Sequence, residues 1–92
     1  MSTLSRPTSL LRIDWKRFAA DLGRERIQRG VSVRQLQSIT GVLYTSISRV
    51  ERGDGKCDAE AFLSLVWWLR KDPLSYANKV AVPFEQWINQ AD

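Results

Sequence analysis

Apolar residues recur at helical spacing in four segments of the chain, and glycine, proline or capping residues separate these segments. Since positions three and four apart share one face of a helix, the spacing predicts helices over residues 15–29, 33–40, 44–52 and 59–70. The apolar positions are Trp15, Phe18, Ala19, Leu22, Ile27, Leu36, Ile39, Ile47, Val50, Phe62, Leu65, Val66 and Leu69. The pattern indicates an all-α domain whose core these residues form.

The chain after the fourth helix has a weaker pattern. The sequence Lys71-Asp72-Pro73 breaks the helix. A short fifth helix is predicted over residues 74–78, with Tyr76 as its anchor, and a connector or short extended piece follows it. Pro83 suits the first position of a last helix over residues 84–90. The predicted architecture is therefore five or six helices.

The stretch of residues 32–53 carries the most specific local signals. Ser32 followed three residues later by Gln35 forms a capping box, which starts a helix at Val33. Gly41 comes directly after that helix, and glycine readily adopts the backbone angles of a tight turn. A second short helix follows the turn. Two short helices joined at a glycine are the layout of a helix-turn-helix.

The second helix of this stretch has two chemically different faces. At about 100° per residue, the face that should pack inward carries Ser46, Ile47, Val50 and Glu51. The other face carries Tyr44, Thr45, Ser48 and Arg49. Hydroxyl and guanidinium groups can hydrogen-bond base edges in the major groove of DNA. An ordinary amphipathic surface helix would show the same alternation, so the helix alone does not decide between the two.

The sequence GVLYTSISRVERG at residues 41–53 resembles the helix-turn-helix of the Cro/C1-type family of phage and bacterial repressors, the xenobiotic-response-element type. The similarity extends upstream through ERIQRGVS and downstream to FLSLVWWL, and so covers residues 13–70. The motif combines a glycine turn, an aliphatic pair, a Glu-Arg-Gly end and a preceding arginine-rich helix. The resemblance implies a repressor-like DNA-binding domain with a central helix-turn-helix.

The resemblance also implies roles for individual side chains. The family reads bases with residues at the start of the second helix and one turn later, which here are Tyr44, Thr45, Ser48 and Arg49. Contacts to the DNA backbone are expected from Ser32, Arg34, Leu43 and Lys56, although Lys56 could equally be an ordinary surface lysine. The family pairs an arginine of its first helix with the glutamate of Glu-Arg-Gly, which implies a salt bridge between Arg26 and Glu51.

Three positions depart from the family pattern. Leu43 stands where the family often has a serine or threonine that caps the second helix, and a missing cap typically costs about 1 kcal/mol. Gln37 stands where a small alanine usually lets the two helices approach, so a looser crossing is expected. Val33 replaces a common polar residue that contacts phosphate. None of the three lies on the predicted base-reading face.

Positive charge is concentrated in the half of the chain that holds the motif. Residues 1–52 contain ten Lys and Arg against four Asp and Glu, a net charge of +6, and residues 53–92 contain four against six, a net charge of −2. This polarity favours an anionic partner such as double-stranded DNA, although a solvated charged face is the common alternative. Residues 1–12 predict a flexible N-terminal arm, in which Arg6 and Arg12 either follow DNA or belong to a loose terminus.

Several classes of function are disfavoured by composition. The chain has one cysteine, Cys57, and no histidine, which excludes an internal disulfide, a zinc site of standard type and histidine-based catalysis. No cofactor, metal or enzymatic activity is therefore expected. No run of about 18 apolar residues is present, and the first residues lack a signal-peptide core, so neither a membrane span nor export is expected. A lone cysteine suits a cytoplasmic protein.

Large aromatic residues are concentrated after residue 60. Trp67 and Trp68 are adjacent and lie about 100° apart on a helix, so both cannot point into one core. Phe84, Trp87 and Ile88 form an apolar edge that either closes the core or pairs with a second copy of the chain. These five residues are the predicted interface of a homodimer.

Together these features predict that residues 13–92 form a sequence-specific DNA-binding transcriptional regulator of the repressor type. It would occlude a promoter or contact polymerase. The alternative is a protein-interaction module, such as an antitoxin-like or phage accessory protein, whose tryptophan-rich half binds a protein partner.

Overall fold

A computed structural model gives the structure of the chain and describes residues 9–81. Within that range the protein is mostly helical, with one small antiparallel sheet. The elements, in chain order, are β1 (Ser9–Ile13), α1 (Trp15–Gln28), α2 (Val33–Thr40), α3 (Tyr44–Glu51), α4 (Ala59–Leu69), a 3₁₀-helix (Pro73–Tyr76) and β2 (Ala77–Ala81). The four predicted α-helices are confirmed to within one residue at each end.

Capping side chains set the starts of three helices. The Asp14 carboxylate accepts a hydrogen bond from the backbone N–H of Arg17 at 3.1 Å, and this bond holds the pKa of Asp14 below its usual value. Asp58 starts α4 in the same way, through the N–H of Ala61 at 2.8 Å. The predicted capping box of α2 is present, with Ser32 and Gln35 each accepting from the other's backbone N–H at 3.0 and 2.8 Å.

Left-handed backbone conformations end two of the helices. Gly41 has φ of 81° at the end of α2, an angle that glycine adopts without the clash a Cβ would cause, so α3 can start three residues later. Arg70 ends α4 with φ of 62°, although it is not a glycine. Its N–H still reaches the carbonyl of Trp67 at 3.0 Å, which satisfies a carbonyl that the helix end would otherwise leave unpaired.

The sheet corrects two predictions. Residues 9–12, predicted to belong to a flexible arm, form β1 and pair antiparallel with β2, in a register that places Ile13 opposite Ala77 and Ser9 opposite Ala81. The predicted fifth helix over 74–78 is instead a 3₁₀-helix that ends at Tyr76, followed at once by a strand. Both pairing strands lie more than 60 residues apart in sequence, so no local pattern reports their contact.

The core lies where α1, α2, α3, α4 and the 3₁₀-helix meet. Most of the predicted apolar positions are buried there, and the largest fully buried side chains are Tyr76, Phe18, Leu22, Leu36, Ile47, Leu65, Val50 and Val66. Aromatic rings contact edge to face at one end of it, with 4.9 Å between the centroids of Phe18 and Phe62 and 5.3 Å between those of Phe18 and Tyr76. The predicted anchoring role of Tyr76 is confirmed by its complete burial.

Three apolar side chains do not lie where the sequence pattern put them. Ile27 and Ile39, predicted to be core residues, are 70% and 50% exposed, and each lies near the C-terminal end of its helix. Trp68, predicted at a dimer interface, is a core residue with 8% exposure, whereas Trp67 is 67% exposed. The predicted last helix, with Phe84, Trp87 and Ile88, lies outside the described residues.

In the described part of the chain, none of the helices combines the length and apolar character that crossing a membrane requires.

Candidate nucleic-acid interface

A charged pair fixes the end of α3 against α1. Arg26 donates from Nε and Nη2 to the two carboxylate oxygens of Glu51, at 2.7 and 2.9 Å, and its Nη1 donates to the carbonyl of Val31 at 2.9 Å. The bidentate bond raises the pKa of Arg26, against the opposing effect of burial. Gly23 lies beside the pair, where a Cβ would be 3.7 Å from Glu51 Oε1. The predicted pairing of Arg26 with Glu51 is thus present, and it holds α3 by its last residue.

The start of α3 is fixed by a side chain of α2. Leu43 precedes α3 and makes no capping bond, because its apolar side chain has no hydrogen-bond acceptor. In its place, Oε1 of Gln37 accepts a hydrogen bond from the backbone N–H of Tyr44 at 2.8 Å. Gln37 was expected to bend aside and loosen the crossing of the two helices, and the structure shows that its long amide also bridges them through this bond. Both ends of α3 are therefore tied by polar side chains of other helices.

The outward face of α3 lines an open hollow on the surface. Its lining residues are Tyr44, Thr45, Ser48, Arg49 and Arg52, a set we call the α3 hollow. The structure thereby brings together all four residues predicted to read bases. Thr45 and Arg49 are exposed, and Tyr44 and Ser48 are partly exposed. Ile47 and Val50, on the opposite side of the helix, are buried, so packing directs the polar face outward.

Two arginines of the α3 hollow have different surroundings. Arg52 pairs with Asp54 at 3.0 Å, and both side chains are 60% exposed, so this pair contributes little to stability. The Arg49 guanidinium lies beside the backbone of Gly55, where a Cβ would be 3.5 Å from Nη2, and it forms no ion pair within residues 9–81. Arg49 therefore presents its charge without an internal carboxylate to neutralise it.

The residues predicted to contact the DNA backbone lie at the surface, and one of them contacts the α3 hollow. Arg34 of α2 lies over the ring of Tyr44, with 4.1 Å between Cζ and the ring centroid. Lys56 is exposed in the loop before α4, and Leu43 is 62% exposed in the turn before α3. Ser32 is exposed as well, but its hydroxyl already accepts the capping bond of α2. The Ser32 hydroxyl could still donate its hydrogen to a phosphate, because a hydroxyl is both a donor and an acceptor.

Other titratable groups of the described region have structural roles. Burial raises the pKa of the Cys57 thiol to about 11, with a further contribution from Asp58, so the thiol is far less reactive than a free cysteine. The buried Tyr76 hydroxyl donates to Asp21 at 2.7 Å, and this bond lowers the pKa of Asp21. Residues 9–81 contain no cluster of three or more metal-ligating side chains.

An apolar strip remains uncovered on the outer side of α4. Leu63 and Trp67 are one helical turn apart and are 51% and 67% exposed, and Leu74 of the 3₁₀-helix is 67% exposed. Of the five predicted dimer residues, Trp67 is the one that the described structure leaves at the surface. Its neighbour Trp68 is held in the core, with the Arg29 guanidinium 4.3 Å from its ring and bonded to its carbonyl at 2.8 Å.

Two residues of this surface were missed by the reading of the sequence. Gln37 was noted for its size and not for its acceptor oxygen. The missing cap at Leu43 was the available signal that α3 needs another acceptor, and Gln37 provides it from seven positions before Tyr44. Arg52 was treated as part of the Glu-Arg-Gly end, although its position one turn after Ser48 places it on the same face.

Comparison of the chain with models of protein families, with curated proteins and with solved structures gives no match. The assignment of a function therefore depends on the surface described above and on the resemblance of residues 13–70.

Proposed function

We propose that the protein is a sequence-specific double-stranded DNA-binding transcriptional regulator of the Cro/C1-type repressor class. The α3 hollow would enter the major groove, where Thr45, Ser48 and Arg49 would contact base edges. Arg34 and Lys56 would contact phosphates on either side. The mechanism would be occlusion of a promoter or contact with polymerase.

The observation that carries this proposal is the geometry of α3. Its outward face combines hydroxyl groups with the unneutralised guanidinium of Arg49, and both ends of the helix are tied to the rest of the domain. A helix that reads bases must hold its side chains at fixed positions, because each bidentate contact tolerates little displacement. A polar, basic face on a helix that is fixed at both ends meets this requirement.

The charge of the surface supports the same proposal. Arg49 and Arg52 line the α3 hollow and Arg34 lies over the ring of Tyr44, while Glu51 is bonded to Arg26 and the exposed Asp54 pairs with Arg52. Attraction to phosphates supplies most of the non-specific affinity of DNA-binding proteins. Arg34 and Arg49 form no ion pair within residues 9–81, so their positive charge would attract a polyanion to this surface.

We further propose that the regulator acts as a homodimer. Operator-binding dimers of this class place two reading helices about 34 Å apart, one turn of DNA. The exposed strip of Leu63 and Trp67 is an apolar surface that could bury itself against a second copy.

The same strip favours the alternative function, a protein-interaction module of antitoxin or phage accessory type. In that case the strip would bind a different protein, and the basic face would be a solvated surface. The two functions make opposite predictions about salt and DNA, so they can be separated.

The deciding experiment is the affinity of the protein for random-sequence duplex DNA across a salt series, followed by selection of bound sites from a random duplex pool. A DNA-binding regulator should lose affinity steeply as salt rises, and selection should yield a recurring site. Absent or salt-independent binding would contradict the proposal and leave the interaction module. The Arg24→Ala variant controls for the loss of one positive charge outside the proposed interface, because Arg24 lies on α1 and is paired with Asp21 at 2.6 Å.

A further inference from the structure

The Arg34 guanidinium lies over the Tyr44 ring, and this contact joins α2 to α3 on the surface. The Arg34 Cζ atom lies 4.1 Å from the centroid of the Tyr44 ring, within the range of a cation–π contact. Arg34 is exposed and Tyr44 is partly buried, so the ring is the fixed partner and the guanidinium the outer one. Within residues 9–81 Arg34 takes part in no ion pair.

The backbone of Tyr44 is also fixed against α2. The backbone N–H of Tyr44 donates to Oε1 of Gln37 at 2.8 Å, which fixes the first residue of α3 against α2. Gln37 and Arg34 are three positions apart in α2 and so lie on adjacent turns of one face. Helix α2 therefore binds the backbone of Tyr44 through Gln37 and places Arg34 over its ring.

The contact with the ring leaves the donors of the Arg34 guanidinium available, since none of them forms an ion pair within residues 9–81. A guanidinium offers its N–H groups around its edge, in the plane of the group, whereas the contact with an aromatic ring uses its flat face. An arginine that is already stacked also loses less rotamer freedom when it binds a phosphate than a freely moving one does. The pair thus has the chemistry of a preorganised anion contact.

We infer that Tyr44 is a positioning residue, which holds the Arg34 guanidinium for a phosphate of the DNA backbone, and not a base-reading residue. The inference rests on the proposed DNA-binding function and reassigns one of its predicted base contacts. Thr45, Ser48 and Arg49 remain to read sequence. The covered face of the ring is then unavailable to a thymine methyl group.

The test is a double-mutant cycle with the full chain, measured on a random-sequence duplex and on the best duplex selected from a random pool. Arg34→Ala should lower the magnitude of the salt slope by about 0.9, the value for one phosphate contact in B-form DNA. Tyr44→Ala should weaken binding to both duplexes about two- to fivefold, as expected for one exposed cation–π contact, and should leave the ratio of the two affinities unchanged. The double variant should bind like Arg34→Ala alone.

Two further variants keep the result interpretable. Tyr44→Phe retains the ring and should bind like the unmodified protein. Tyr44→Leu retains apolar bulk without a π face and should reproduce the loss seen with Tyr44→Ala, even if the alanine variant is poorly folded. Thermal unfolding of each variant identifies those that are folded.

The inference would be overturned by additive losses in the double variant, by a loss in Tyr44→Phe equal to that in Tyr44→Ala, or by a changed affinity ratio in Tyr44→Ala. The last of these would make Tyr44 a base reader. A wild-type affinity that does not depend on salt would overturn the proposed function as well, and so differs from the outcomes that remove the positioning role alone.

Discussion

Gln37 caps the N-terminus of α3, because its Oε1 accepts a hydrogen bond of 2.8 Å from the backbone N–H of Tyr44. Helices leave their first N–H groups without internal partners, and a side chain just before the helix usually satisfies one of them. Leu43 holds that position here and makes no such bond. Gln37 therefore provides the capping acceptor that Leu43 lacks.

This pairing predicts how the two positions depend on each other. Gln37→Ala should lower the free energy of unfolding by about 1 kcal/mol, because it removes the only capping acceptor of α3 identified in the described structure. Leu43→Ser should restore most of that loss in the Gln37→Ala background and should gain less in the unmodified protein. Urea denaturation of the four proteins measures the cycle. Equal gains from Leu43→Ser in both backgrounds would show that Gln37 does not act as the cap.

The ion pair of Arg26 and Glu51 should dominate the electrostatic contribution to stability. Its side chains are 18% and 14% exposed and its geometry is bidentate, so Arg26→Ala should cost close to the roughly 3–5 kcal/mol of a broken buried pair. The matched control is Arg24→Ala, since Arg24 is 55% exposed in its pair with Asp21 and should cost about 0–1 kcal/mol. Melting temperatures of the two variants check this, and equal shifts would remove the assigned role of Arg26.

Stability should fall in acid through Asp21. The hydrogen bond from the Tyr76 hydroxyl is the largest cause of the lowered pKa of Asp21 in the folded protein. A carboxyl whose folded pKa is depressed contributes stability above its unfolded pKa of about 4, and this contribution is lost as the pH falls through the folded pKa. Tyr76→Phe removes the bond, so the decline of unfolding free energy below pH 4 should become shallower in that variant.

The control for this pH dependence is Asp54→Asn. Asp54 is an exposed carboxylate whose partner Arg52 is equally exposed, so its removal should leave the acid limb of the unfolding curve nearly unchanged. A Tyr76→Phe variant with the same acid limb as the unmodified protein would mean that Asp21 does not carry the effect.

The sequence predicted the helices well because their signals are local. The capping box of Ser32 and Gln35 and the glycine at position 41 act within a few residues, and both lie where the sequence predicted them. The pairing of Arg26 with Glu51 was implied by the family resemblance, since nothing in the spacing alone connects residues 25 positions apart.

The rest of the structure depends on contacts that a linear pattern does not encode. The β1–β2 pairing joins distant segments, and the strand sequence SLLRI lacks the alternation that would have marked it. Trp67 and Trp68 could not be assigned because helical periodicity shows that they diverge and not which one faces the core. The stacking of Arg34 on Tyr44 requires the crossing of α2 and α3 to be known first.

The adjacent tryptophans give a test of the proposed dimer. Trp67→Glu should weaken self-association while leaving the melting temperature of the monomer nearly unchanged, because Trp67 is 67% exposed and a charge there would oppose burial. Trp68→Ala should instead destabilise the monomer by about 3–5 kcal/mol, as loss of a buried tryptophan does. Sedimentation equilibrium and thermal unfolding separate the two effects. Unchanged association in Trp67→Glu would place the dimer contact elsewhere.

The last prediction separates the reading of sequence from the holding of DNA. Arg49 lies in the α3 hollow with Thr45 and Ser48, and its guanidinium can donate to two acceptors of one guanine, a contact worth about 1–3 kcal/mol of discrimination. Lys56 lies beyond the helix in an exposed loop, where a phosphate is the expected partner. Arg49→Ala should therefore weaken binding to the selected duplex much more than binding to random DNA, and should relax the preference at one base pair. Lys56→Ala should weaken both to a similar extent and lower the magnitude of the salt slope by about one unit. The measurement is the ratio of selected to random affinity for each variant at a fixed salt concentration, and an unchanged ratio in Arg49→Ala would show that α3 does not read sequence through this side chain.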